Sequence, residues 1–178
     1  MKRLFLGVPV SEDIKKKVEI LVAKLSETGA DFNFVKDFHF TIKFLGDVDE
    51  SKIEEIKEKI GTLEQSSFSV HLRGVGVFPH PDRIRVIWIG IDNSTLTGLM
   101  KEVNNRLQYI RKDDHKEVPH LTVARVKSGK NREELQIMLN KVKNIDFGKM
   151  IVDSLVLYES ELTPTGPIYR KVFTITFK

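Results

Sequence analysis

The sequence predicts an α+β protein: two pseudo-symmetric lobes, each an antiparallel sheet with outer helices, around a central cleft. Three observations lead there. The stretch His39-Phe40-Thr41-Ile42 recurs as His120-Leu121-Thr122-Val123, 81 residues later in a chain of 178. The flanks recur at nearly the same offset, so strand-like and helix-like runs keep their order twice. The order is β-α-β-α-β, the same again, then a final strand, and it lacks the Gly-rich phosphate loop that opens a parallel nucleotide-binding sheet. The expected organisation is a single domain over residues 1–178, made of duplicated halves at roughly 1–80 and 81–178 with one sheet per half.

Taken in order, residues 2–8 are short and apolar and read as a strand. Ser11 is the candidate N-cap of a helix to about residue 27, with Ile14, Val18, Leu21 and Leu25 at helical spacing and Gly29 beyond it. Residues 32–36 form a short extended lead-in. Residues 39–45 alternate cleanly: Phe40, Ile42 and Phe44 on one side, His39, Thr41 and Lys43 on the other, closed by Gly46-Asp47. Asp49 or Ser51 caps a helix ending near Ile60-Gly61. Residues 68–77 form a strand in which Gly74 and Gly76 mark a bulge, and 78–82 form a turn.

Residues 83–91 are the most strand-like run of the chain. Asp92, Asn93 or Ser94 caps a helix to about residue 109, with Leu96, Leu99, Val103 and Leu107 on its apolar stripe. A charged loop at 111–117 precedes the second His-x-Thr strand, which runs to about residue 126. A turn at 127–130 leads into a charged amphipathic helix at 131–142. Residues 150–158 and 168–177 are the last strands, joined by a Pro/Gly/Thr-rich connection at 162–167.

Composition narrows the function classes. Hydrophobic content of 40% and charged content of 30% describe a soluble globular chain with ample core. With no cysteine, disulfides and thiolate metal sites are excluded. No apolar run approaches the ~20 residues of a membrane helix, and the N-terminus lacks a signal-peptide layout. A cytoplasmic protein is therefore the expectation. A net charge of +4 and a pI near 9.2 suit an anionic ligand such as RNA without specifying one.

In a strand, residues two apart share a face. Each His-x-Thr-apolar stretch thus aims an imidazole and a hydroxyl to one side and packs apolar groups on the other. An unperturbed imidazole titrates near pH ~6.5, so one ring can accept a proton while its counterpart donates one. Phosphodiester chemistry needs both transfers. Thr41 and Thr122 can donate to non-bridging phosphate oxygens between the rings. A catalytic zinc site usually takes three protein ligands, and these stretches offer two histidines without a carboxylate at ligand spacing, so no metal and no cofactor is expected. The spacing gives the pair, not which ring does which.

With those residues in view, the chain resembles the 2H phosphoesterase superfamily, defined by two His-x-Thr-x motifs. Within it, the chain is similar to the LigT-like RNA 2′,3′-cyclic phosphodiesterases, also called 2′-5′ RNA ligases. The matching residues are Arg3-Leu4-Phe5-Leu6, His39-Phe40-Thr41-Ile42-Lys43-Phe44-Leu45-Gly46, Gly76-Val77-Phe78-Pro79, Pro119-His120-Leu121-Thr122-Val123-Ala124-Arg125, and the later Ser160, Gly166 and Tyr169. The resemblance implies hydrolysis of RNA 2′,3′-cyclic phosphate ends to 2′-phosphates, with reversible 2′-5′ ligation as an added capacity. It makes His39 the proton donor to the departing 3′ oxygen, His120 the acceptor that activates water, and Thr41 and Thr122 the phosphate ligands. The expected partners are RNA with a cyclic phosphate end, tRNA fragments included, or nucleotides, met by a monomer. Two other readings remain open: a phosphodiesterase for small cyclic nucleotides or 2′-5′ oligonucleotides, and a non-catalytic module that binds nucleotides or RNA ends.

Each candidate also has a plainer reading. Lys43 shares the His39 face and is a candidate phosphate contact, or a solvated lysine at a strand end. Arg125 matches the family arginine, but parity groups it with Leu121 and Val123, so only a bulge or loop would turn it toward His120. Tyr169 and Phe78 can stack on a base, with core or turn packing favoured for Phe78. Arg83 and Arg85 can meet RNA backbone or only solvent. His71, His80 and His115 lack a threonine at the right offset and read as surface residues.

Overall fold

The computed structural model describes residues 1–112, 118–163 and 166–178. His115, most of the charged 111–117 segment, and positions 164–165 of the late connection lie outside the described residues. In chain order the first elements are β1 (Lys2–Pro9), α1 (Glu12–Ser26), β2 (Phe32–Phe34), β3 (His39–Val48), a 3-10 turn at Glu50–Lys52, α2 (Ile53–Gly61) and β4 (Phe68–His80). Then follow β5 (Arg83–Asp92), α3 (Ser94–Arg106), β6 (His120–Val126), α4 (Arg132–Val142), β7 (Asp146–Val152), β8 (Ser154–Thr163) and β9 (Gly166–Thr176).

Local chemistry starts the helices where the sequence indicates. Ser11 caps α1 by accepting from the Ile14 amide, and Asn93 caps α3 by accepting from the Leu96 amide at 2.9 Å. Asp49 caps the 3-10 turn that leads into α2. Each helix buries the stripe expected of it: Ile14, Val18, Leu21 and Leu25 in α1, and Leu96, Leu99 and Val103 in α3. Burying a side chain of that size is worth about 1.5–3 kcal/mol, which dominates the weak intrinsic propensities of these short helices.

The sheets are antiparallel, with strand orders β3-β1-β8-β9 and β2-β6-β5-β4-β7. This corrects the expectation of one sheet per half. β8 and β9 come from the second half yet complete the sheet of β1 and β3, while β2 and β4 from the first half join the sheet of β5, β6 and β7. The stretch read as one strand over 150–158 is two: β7 pairs with β4, the chain crosses at Asp153, and β8 pairs with β1. Helices cross as well, since α1 packs on β6 and β7 whereas α3 packs on β3. The lobes are therefore interlocked, and neither half holds a complete sheet.

Other boundaries differ as well, among them those of β3 and β4. β3 continues through Gly46-Asp47 to Val48, because Gly46 takes a positive φ of 76° beside an irregularity and lets pairing resume. β4 continues to His80, so the turn shrinks to Pro81-Asp82.

One irregularity recurs at matching places and decides the site. Leu6 pairs with Lys43 and Gly7 with Thr41, so Ile42 is an extra residue in β3. Ile87 pairs with Ala124 and Trp88 with Thr122, so Val123 is an extra residue in β6. In each strand the bulge falls on the last residue of the His-x-Thr-apolar stretch. A bulge inverts the facing of everything after it.

Candidate active site

His39 and His120 open β3 and β6, and their rings are held alike. The Nδ1 of His39 lies 3.0 Å from the Asp37 carbonyl, and the Nδ1 of His120 lies 2.6 Å from the Val118 carbonyl. A carbonyl oxygen only accepts, so Nδ1 carries the hydrogen and donates in both cases. In the neutral ring this leaves Nε2 unprotonated and free for chemistry. The anchoring carbonyl stands two residues upstream each time, so the chain entering each strand fixes the tautomer.

Both rings line one cleft of about 610 Å³, together with Thr41, Thr122, Phe44, Arg125 and Tyr169. Thr41 and Thr122 are half-buried, on the same side of their strands as the histidines. The four groups expected to meet a phosphate thus share one concavity.

The two bulges settle the residues that follow. After Ile42, Lys43 turns into the core: it is 2% exposed, and its Nζ donates to Asn104 Oδ1 on α3 at 2.8 Å. Lys43 does not line the cleft, which corrects its reading as a substrate contact. Phe44, read as inward-facing, is 53% exposed and lines the cleft instead. The matching bulge at Val123 buries Ala124 and turns Arg125 outward into the cleft, as only such an irregularity could. If Lys43 acts only in the core, Lys43→Met should cost about 1–3 kcal/mol of stability through the lost bond to Asn104. KM for the substrate should stay within about twofold, whereas lost phosphate contact would raise it far more. Urea denaturation and steady-state kinetics check the two halves of that expectation.

Aromatic rings flank each histidine. Phe5 lies 4.8 Å from the His39 ring centroid, and Tyr169 meets it edge-on at 5.0 Å. Phe78 meets His120 edge-on at 5.2 Å and packs on Trp88 at 5.0 Å. Phe78 is thus a wall behind His120 rather than a free stacking surface. Burial pushes the His39 pKa below its ordinary value of 6.5, against the opposing pull of the Asp37 carbonyl and carboxylate. Burial likewise raises Tyr169, with Arg125 and Arg3 opposing.

The cleft is basic. Arg3, Lys36, Arg111 and Arg125 line it with Asp37 as the acidic counterpart. Arg111 and Lys36 gave no signal in the sequence, because each sits in a connection whose path only the fold reveals. Trp88 was also missed, although the glycine opposite it was noted: Gly76 pairs with Trp88, and its missing side chain leaves room for the indole. His80 is exposed, and His71 pairs with Asp146 at 2.8 Å; neither lines the cleft.

Among the described residues, no three of His, Cys, Asp and Glu gather to hold a metal ion. No described helix is long and apolar enough to cross a membrane.

The family pattern described as LigT-like phosphoesterase matches the chain twice, over residues 8–88 and 89–169. The chain belongs to the LigT-like phosphoesterase family. A Methanocaldococcus jannaschii protein named RNA 2′,3′-cyclic phosphodiesterase is 37% identical over 96% of this chain and 98% of its own length. A Methanothermobacter thermautotrophicus protein of the same name is also 37% identical, over 94% of each chain. Among solved structures, TT0787 of Thermus thermophilus superposes with a TM-score of 0.85 at 23% identity, covering 98% of this chain and 97% of that one. The shared fold therefore covers nearly the whole chain, and the protein is a phosphoesterase whose cleft holds both His-x-Thr stretches.

Proposed function

We propose that the protein hydrolyses RNA 2′,3′-cyclic phosphate ends to 2′-phosphates, with His120 as base, His39 as acid and no metal. The observation that carries this reading is the pair of imidazoles in one cleft, each with Nδ1 tied to a carbonyl. The shared name of the archaeal relatives supports the substrate. His120 Nε2 takes a proton from water as its oxygen bonds to phosphorus. The bond from phosphorus to the 3′ oxygen breaks, and His39 Nε2 gives that oxygen its proton. Thr41 and Thr122 donate to the non-bridging oxygens, and Arg125 adds a positive charge beside them. With a ribose 5′ hydroxyl in place of water, the same groups join a 2′-5′ linkage, and the reverse transfers cut it.

Burial holds His39 mostly neutral in the free protein near pH 7, whereas a donor must start charged. The substrate resolves this. An anionic phosphodiester beside the ring favours the imidazolium, so binding raises the His39 pKa and charges it where it is needed. In NMR titrations His39 should therefore titrate below the ordinary histidine range in the free protein and move upward when a 2′-nucleotide is added. A His39 that stays low in the complex would remove it from the donor role.

Product analysis is the direct test. An RNA carrying a 2′,3′-cyclic phosphate, incubated with the protein in EDTA, should yield a 2′-phosphate end and a free 3′ hydroxyl. Binding without turnover would replace the enzyme reading with a binding module. Turnover of mononucleotides alone would move the substrate to small cyclic nucleotides.

A further inference from the structure

The molecule has a second basic concavity. A groove of about 240 Å³ lies where the turn between β4 and β5 meets the turn between β6 and α4. Arg83, Arg85, Lys127, Lys130 and Arg132 line it against a single carboxylate, Asp82. That carboxylate is engaged by Arg132, and Lys127 pairs with Asp31 at 3.6 Å. Arg83, Arg85 and Lys130 form no ion pair among the described residues. Cations gathered in a concavity repel one another, and a bound anion relieves that repulsion.

The start of α4 adds to the same field. Its N-cap, Asn131, sits at a positive φ of 51°, and its side chain makes no cap hydrogen bond. It donates instead to the Thr28 carbonyl at 3.0 Å. The first-turn amides are thus left without a side-chain cap, and they form the positive end of the helix dipole. Glu133 and Glu134 belong to that turn but do not line the groove.

β6 links this groove to the active site. Arg125 faces the cleft and its neighbour Val126 faces the groove, on the other side of the sheet. From His120 to Val126 the strand covers about 20 Å. A mononucleotide cannot occupy both places, whereas an RNA of several nucleotides can bend around the strand end and do so. We propose that the groove binds backbone phosphates of the RNA whose cyclic end occupies the cleft. This rests on the RNA-end reading above and assigns the protein a second contact that favours polymer over mononucleotide.

The test compares the wild type with the triple variant Arg83→Gln, Arg85→Gln, Lys130→Gln. On a 2′,3′-cyclic mononucleotide the two should have the same kcat/KM within about twofold. On an RNA of about a dozen nucleotides with a cyclic end, the variant should show KM raised about tenfold, and the slope of log affinity against log salt should flatten by about 2. An unchanged KM for RNA would overturn the proposal. So would an equal loss on both substrates, which would mean that the substitutions disturb β6 itself. Fluorescence anisotropy with a 2′-phosphate RNA decides the groove independently of turnover. If the wild type cleaves nothing but binds that RNA more tightly than the variant, the catalytic reading falls and the groove stands.

Discussion

Replacing His39 or His120 by alanine is expected to lower kcat on a 2′,3′-cyclic phosphate by about 10²–10⁴-fold while the protein stays folded. Both rings line the cleft, and both direct Nδ1 to a carbonyl. In the proposed mechanism the two transfers belong to one step, so the double variant should fall little below the worse single one. Thr41→Val and Thr122→Val keep the shape of the strand and remove only a hydroxyl, so each should cost less, about 10–100-fold. A substrate analogue with a p-nitrophenolate leaving group separates acid from base. That group departs without needing a proton, so the His39→Ala defect should shrink on it while the His120→Ala defect persists. The reverse pattern would exchange the two roles, and near-normal rates in either variant would end the two-histidine mechanism.

The reach of the sequence is set by how far each pattern carries. Alternation by two is local and holds from His39 to Thr41 and from His120 to Thr122, so the rings and hydroxyls were legible. It fails one residue later, because Ile42 and Val123 are extra residues in their pairings. Neither is a glycine, and a β-branched residue in a strand gives no sign of a bulge. Lys43 and Phe44 were therefore assigned to the wrong faces, and Arg125 was left open between two, by one cause. Sheet membership was hidden for another reason. β7 and β8 run on with one residue, Asp153, between them and neither Gly nor Pro to mark the break, yet they pair with strands far apart in sequence. Pairing partners are non-local, and periodicity within a strand carries no information about them. Helix starts at Ser11 and Asn93 were readable because capping is decided within three residues.

Gly76→Ala is the second substitution from which a large effect is expected, and it acts on the site from behind. A Cβ at Gly76 would lie 2.3 Å from Trp88 Cζ2 and 2.4 Å from Cη2, well inside contact distance. The backbone there is not left-handed, so the cost is steric and the indole must move. Trp88 is half-buried, packs on Phe78 at 5.0 Å and lies 6.3 Å from the His120 ring. Its Nε1 is buried without a hydrogen-bond partner among the described residues, so packing alone fixes its position. Overpacking of this kind should cost about 1–3 kcal/mol. Displacing the wall behind the proposed base by about 1 Å can cost up to 10²-fold in rate, so kcat should fall about 10–100-fold. Gly98→Ala is the matched control: nothing lies within 4 Å of that position in α3, and adding a methyl group there should stabilise the protein by about 0.5–1 kcal/mol. Trp88 is the single tryptophan of the chain, so its emission reports on this corner of the cleft alone. Gly76→Ala should shift that emission, lower the urea midpoint and slow turnover together. An unchanged spectrum with full activity would show that the indole does not brace His120.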